Sequence, residues 1–222
     1  MGIPFTAAEF LRVFARYNQA VWPAQVVFIA AAVLALFLAA RPAAAPAPGR
    51  IVAAVMALFW VWMGAVYHAL FFAPVNPAAR LFAVVFIAQG VALAGWAAWG
   101  APSFRLRADT AGIAGAAIIV YALAVYPLLG YVAGHRYPAA PTFGLPCPTT
   151  LFTLGVLLWA ERPPRHLLAV PAAWAVAATG AALSLGMTED LGLIAAAAVA
   201  VPLAWGGKRG VSGRGRSVAL HG

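Results

Sequence analysis

Seven apolar stretches follow one another from Val21 onward: Val21 to Ala40, Ile51 to Phe72, Ala79 to Trp99, Ala111 to Ala133, Phe143 to Ala160, Leu167 to Leu185 and Leu191 to Trp205. Each is close to the ~17 to 25 residues that carry a helix across a hydrocarbon core, the last ones at the short end of that range. The pattern predicts an all-α integral membrane bundle of seven transmembrane helices. A different periodicity precedes it. Phe10, Leu11, Val13, Phe14 and Tyr17 recur at helical spacing, and Thr6 and Glu9 stand at capping-box spacing. Residues 1–20 therefore read as an amphipathic helix lying at the membrane interface, with Trp22 and Pro23 marking entry to the first span. The early acidic and basic residues and the length of the first apolar run do not read as a cleaved signal.

The connections alternate in charge. Four basic residues (Arg12, Arg16, Arg80, Arg136) fall on one side, and ten (Arg41, Arg50, Arg105, Arg107, Arg162, Arg165, Lys208, Arg209, Arg214, Arg216) on the other. The richer side is expected to be cytoplasmic, so the N-terminus is placed outside and the C-terminus inside. The tail over 206–222, rich in Gly, Ser and Arg, reads as disordered, and 21–205 as the membrane domain.

Composition supports this division. Hydrophobic residues make up 65 % and charged residues 9 %, against about 25 % charged in a soluble domain. The net charge of +9 lies in short loops and the tail, where it sets orientation and attracts anionic lipid. Nucleic acid is not an expected partner; the lipid bilayer is. One cysteine, Cys147, excludes an intramolecular disulfide.

The densest chemistry lies in GHRYPAAPTFGLPCPTT, Gly134 to Thr150. Pro138, Pro141, Pro146 and Pro148 interrupt regular helix there, and unpaired backbone at membrane depth must be buried in protein or line a wet cavity. The segment reads either as a rigid outer loop or as a broken, re-entrant entry to the fifth span, which would leave six full spans plus a re-entrant segment. Thr149 or Thr150 is placed to cap the helix that follows.

The outward half also collects His68, Asn76, His135, Arg136, Glu189 and Asp190. An ionisable residue within a span is costly and points to function, which singles out His68. His68, His135 and Cys147 include the donor types of a metal or haem site, although their spacing specifies no geometry. Alternatively, Cys147 is a nucleophile with His135 as base, or a small buried hydrophobe. Glu189 and Asp190 either complement the start of the last helix or pair with Arg136. No dinucleotide or phosphate-loop glycine pattern is present, the last span has no Lys, and no span carries a deep string of charges. Nucleotide-driven chemistry, a retinal Schiff base and a proton-relay pump are therefore not expected.

The segments FLRVFARYNQAVWPAQ, WVWMGAVYHALFFAPVNPAA, GHRYPAAPTFGLPCPTT and TEDLGL together resemble a bacterial polytopic inner-membrane family known as a domain of unknown function, over most of the chain to about Leu193. The resemblance implies a multi-pass protein of the bacterial cytoplasmic membrane and transfers no catalytic residue. Three functions fit: a small permease, channel or binding protein for a small solute or metal ion; a membrane enzyme or redox component using Cys147 and His135, with metal or haem as cofactor; and an accessory subunit of a membrane complex. The first is the leading expectation, and enzymatic activity is not favoured.

Overall fold

The computed structural model describes residues 4–41 and 45–206. The expected basic tail lies outside the described residues apart from Gly206, which closes the last helix. The described chain is helical, and its β-pairing is limited to isolated bridges between Phe104 and Ala160 and between Phe143 and Leu145.

Helix α1 (Ala7–Ala20) begins with the expected capping box: the Thr6 hydroxyl accepts from Glu9 N at 3.2 Å, and Glu9 Oε2 accepts from Thr6 N at 2.8 Å. Its apolar face buries Val13, Phe14 and Tyr17. At Val21 to Pro23 the chain turns by 84° into α2 (Ala24–Ala40). Helix α3 (Ala47–Trp62) runs on as a π-helical segment, Met63–Phe72, which carries Tyr67 and His68. Then come α4 (Ala79–Trp99), α5 (Thr110–Val120) and α6 (Tyr126–Val132). A π-turn, Tyr121–Val125, joins α5 and α6. Pro127 has no N–H for the normal helical bond, and the π-turn absorbs the local mismatch without ending the span.

Helix α7 (Pro146–Trp159) occupies the centre, with all fourteen residues buried. It rises about 21 Å, less than a hydrocarbon core of ~30 Å, and the helices packed around it bury it along its whole length. The α5 contact shows how it fits. Gly115 and Gly155 face one another at the crossing, and a Cβ on either would lie within 2.8 Å of the other's carbonyl oxygen. Polar groups on the central helices pair off: Trp60 Nε1 donates to Thr153 Oγ1 at 3.0 Å, and Trp159 Nε1 to the Gly112 carbonyl at 3.0 Å. Helices α8 (Ala169–Leu185) and α9 (Leu191–Gly206), each opened by a 3₁₀ turn, complete the bundle.

All seven predicted apolar stretches are helical, but their lengths divide them. Five helices are long and apolar enough to cross a membrane, six if the bent α1–α2 pair counts as one crossing. The expected count of seven by length is thus reduced, because α7 is too short and α2 joins α1 at a sharp bend. Pro146 and Pro148 occupy the first turn of α7, where a missing N–H costs little, and six candidate crossings with this short helix beside them match the alternative count of six spans plus one further segment.

Loops gather at two ends. At one end lie α1, the turn after Phe72, the 133–145 loop and the 186–190 turn; Asn18 donates to the Pro138 and Ala140 carbonyls there, and His135 meets Glu189. At the other lie 100–110, 160–165 and the end of α9, tied by Arg105 N to the Trp159 carbonyl and Arg165 to the Trp205 carbonyl.

Candidate functional site

A cavity of about 270 Å³ opens beneath α1. Phe5, Phe10 and Phe14 cover it from the amphipathic helix, Tyr67, Phe72 and Phe82 form one wall, and Ala177, Ala178, Ala181 and Ala182 of α8 give a smooth opposite wall. The aromatic cover interlocks: Phe10 stacks with Phe5 at 5.6 Å and tilts against Phe72 at 5.7 Å between ring centroids. The sequence produces this cover because Phe10, Phe14 and Tyr17 recur along α1 at helical spacing and share its inward face with Val13, while Phe5 joins them from just before the cap.

Tyr126, Cys147, Trp174 and Asp190 meet the cavity at one corner, and Asn76 and the Tyr67 phenol are the other polar groups that line it. The Tyr126 hydroxyl donates to Asp190 Oδ1 at 2.5 Å, and the Cys147 thiol lies against the same carboxylate. Trp174 Nε1 turns toward the Cys147 sulfur, a weak acceptor, but completes no hydrogen bond within the protein. Behind Asp190, Glu189 is fully buried. Its Oε1 meets His135 Nδ1 at 2.7 Å, and its backbone carbonyl accepts from the Tyr121 hydroxyl at 2.7 Å. With a carboxylate as partner, Nδ1 is the nitrogen assigned the proton.

The 138–145 loop is fastened to α1 above this corner. Asn18, wholly buried, donates to the Pro138 and Ala140 carbonyls at 2.7 and 2.8 Å and accepts from the Thr142 hydroxyl at 2.6 Å. Tyr17, also wholly buried, accepts from Trp62 Nε1 at 2.8 Å, and burial pushes its phenol up to about 12.

The expected outer-face residues thus gather at one end but divide into separate roles. Asn76, Cys147 and Asp190 line the cavity, while His135 and Glu189 form the pair beside it. Asn76 Oδ1 also accepts from Ala78 N at 3.2 Å, closing its turn. Arg136 does not pair with a carboxylate as anticipated: its guanidinium lies over the Tyr131 ring at 4.7 Å, and His135 holds Glu189 instead. Thr149 does not cap α7. Its hydroxyl accepts from Gly144 N at 3.1 Å, bracing the loop, and the Thr150 hydroxyl is buried without a partner in the protein.

The proposed ligand trio of His68, His135 and Cys147 does not assemble. Among the described residues no three His, Cys, Asp or Glu side chains come together as a metal site requires. His68 is wholly buried in a box of Tyr67, Phe72, Phe82, Phe86 and Trp174 rings, with both ring nitrogens lacking a protein partner. That enclosure leaves no face for axial bonding to a haem. Nor does any imidazole hydrogen-bond Cys147 among the described residues, so the Cys–His arrangement of a nucleophile is not formed.

Sequence reasoning missed Tyr126, Trp174 and Asn18. Asn18 had a legible signal, as an amide on the apolar side of an amphipathic helix. Tyr126 and Trp174 had none, since aromatic residues in apolar helices are ordinary.

The chain belongs to a family of unknown function, DUF6064, matched over residues 7–212. No curated protein and no solved structure matches it.

Proposed function

We propose that this chain is a multi-pass protein of the bacterial cytoplasmic membrane that takes up and holds a small, mainly apolar solute in the cavity beneath α1. The observation that carries the reading is the cavity itself, lined mainly by apolar side chains, with Tyr126, Cys147, Trp174 and Asp190 grouped at one corner and Asn76 as a further polar group. Ligand sites have that division of labour: apolar walls supply affinity and a few placed polar groups supply orientation. The cavity ends at the first turn of α7, where Pro146, Cys147 and Pro148 line it and Thr149, Thr150 and Thr153 are buried behind them. Such closure favours a binding or gated permease role over an open channel.

Orientation follows the loop charges. The α1 end carries Arg12, Arg16, Arg80 and Arg136, and the opposite end carries Arg105, Arg107, Arg162 and Arg165 with Arg41 and Arg50. This supports an outward-facing cavity, a seven-helix bundle in which α7 is sheltered rather than lipid-bathed, and a cytoplasmic C-terminus.

Two measurements test the proposal. In a Cys147→Ser background, Tyr137→Cys should react with an impermeant maleimide on intact cells and Leu106→Cys only after lysis; the reverse pattern would overturn the orientation. Small molecules released from purified wild type should be depleted in Ala178→Phe, which fills the cavity. Equal profiles from both proteins would remove solute binding there.

A further inference from the structure

A different recess lies at the other end of the bundle, and its chemistry is opposite. A cleft of about 830 Å³ is bounded by the 100–110 and 160–165 loops, the start of α5 and the end of α9. Arg105, Arg107, Arg162 and Arg165 line it against Asp109 and Glu161, so two positive charges are left over. The chain has no side chain to neutralise them. It holds five carboxylate residues, and each is already placed. Glu9 closes the cap of α1, Glu189 and Asp190 are buried at the opposite end, Asp109 meets Arg107 Nε at 2.9 Å, and Glu161 meets Arg105 Nε at 3.2 Å. The residues outside the described ones add no Asp or Glu. Arg162 and Arg165 are thus the pair without a carboxylate, and both are exposed. Pro163 and Pro164 stand between them and fix φ along the spacer, and Arg165 donates to the Trp205 carbonyl at 3.3 Å. Guanidiniums held in this way offer forks that match the oxygens of a phosphate.

The place of the cleft selects the kind of phosphate. Its arginines belong to loops beyond the helix ends, whereas its half-buried apolar residues belong to the helices: Ala111 in the first turn of α5, Leu203 and Ala204 in the last turn of α9. Charge outside and hydrocarbon inside is the order of a phospholipid standing in a leaflet, and basic pockets between membrane helices are suited to anionic headgroups. A free phosphate ion makes no use of the apolar wall, and a choline headgroup brings a cation of its own to the two arginines. We infer that this cleft seats one anionic phospholipid, its phosphate between Arg162 and Arg165 and its acyl chains against Leu203 and Ala204. The inference rests on the membrane reading above, but not on the solute cavity or on which way the bundle faces.

The test titrates the full chain in dodecyl maltoside with phosphatidylglycerol or phosphatidylcholine and counts bound lipid by native mass spectrometry. Wild type should bind one phosphatidylglycerol in preference to phosphatidylcholine. Arg162→Gln should weaken it about fivefold, and Arg162→Gln with Arg165→Gln roughly thirtyfold, the effect of removing one and two arginines at a membrane surface. Arg41→Gln with Arg50→Gln removes the same charge from the same end but outside the cleft, and should leave binding unchanged. Equal loss in the two double variants, or equal binding of both lipids by wild type, would overturn the site. Millimolar inorganic phosphate should not displace the lipid; displacement would show that the cleft takes the free ion and overturn the lipid assignment. Protein that stays monodisperse without detergent would overturn the membrane reading itself, whatever the lipid count.

Discussion

Asn18 shows how much one side chain can hold. Three side-chain hydrogen bonds join it to Pro138, Ala140 and Thr142, and its backbone carbonyl accepts from Gln25 Nε2 at 2.9 Å. Asn18→Ala leaves two loop carbonyls and a hydroxyl in search of partners, and is expected to cost about 2–3 kcal/mol, read as a lowered Tm in detergent. Tyr17 acts beside it. Its phenol ordinarily titrates at 10.0 and is pushed up to about 12 by burial, so the neutral form favours the docked state. The docking contribution is therefore complete below pH 10 and lost as the pH rises from 10 towards 12. Hydrogen exchange along α1 should show loss of protection in that window, and in Tyr17→Phe the transition should vanish. Protection that collapses equally in both proteins would show that Tyr17 does not control docking.

At the scale of elements, close helix contact governs where α7 can sit. The Gly115–Gly155 crossing brings α5 against the central helix with backbone in contact. Gly155→Leu would drive a side chain into Ile119 and the Gly115 carbonyl, at a typical overpacking cost of about 1–3 kcal/mol. Reduced yield of monodisperse protein with a lower Tm is the expected result, and unchanged behaviour would mean that α5 and α7 can separate at little cost. Helix α1 is the second decisive element. Its aromatic face both covers the cavity and packs on Phe72 and Tyr67 of the π-helical segment, so cover and wall form one aromatic layer. That layer explains why a helix with the look of a surface anchor belongs to the site.

Across the whole molecule, apolar surface faces outward in quantity: Val27, Val33, Phe37, Leu81, Val84, Val91, Ile113, Leu128, Val176 and Leu183 are all more than half exposed. So extensive an exposed apolar surface is unusual for a soluble protein, and it fits the membrane location proposed above. The interior inverts the pattern: buried Gln89 and Thr153 bond to backbone carbonyls, Asp190 to Tyr126 of α6, and Glu189 to His135 of the 133–145 loop. The two ends differ in the same way. One carries the aromatic cavity beneath α1, the other a set of ion pairs, Arg105 with Glu161 at 3.2 Å and Arg107 with Asp109 at 2.9 Å.

What was legible in the sequence was whatever depends on neighbours along the chain. Apolar runs located the helices, Thr6 and Glu9 foretold the cap of α1, and alternating loop charge sorted the connections into two groups that the structure places at opposite ends. Local composition carries such features because helix formation and capping are settled within a few residues. Partnerships were different in kind. That His135 rather than Arg136 holds Glu189, that Tyr126 holds Asp190, and that His68 sits in an aromatic box away from Cys147 depend on which helices pack against α7 and at what rotation. The periodicity of a helix gives the spacing of its own side chains but not its angle to the next helix, so the cavity and its polar corner came into being only with tertiary packing.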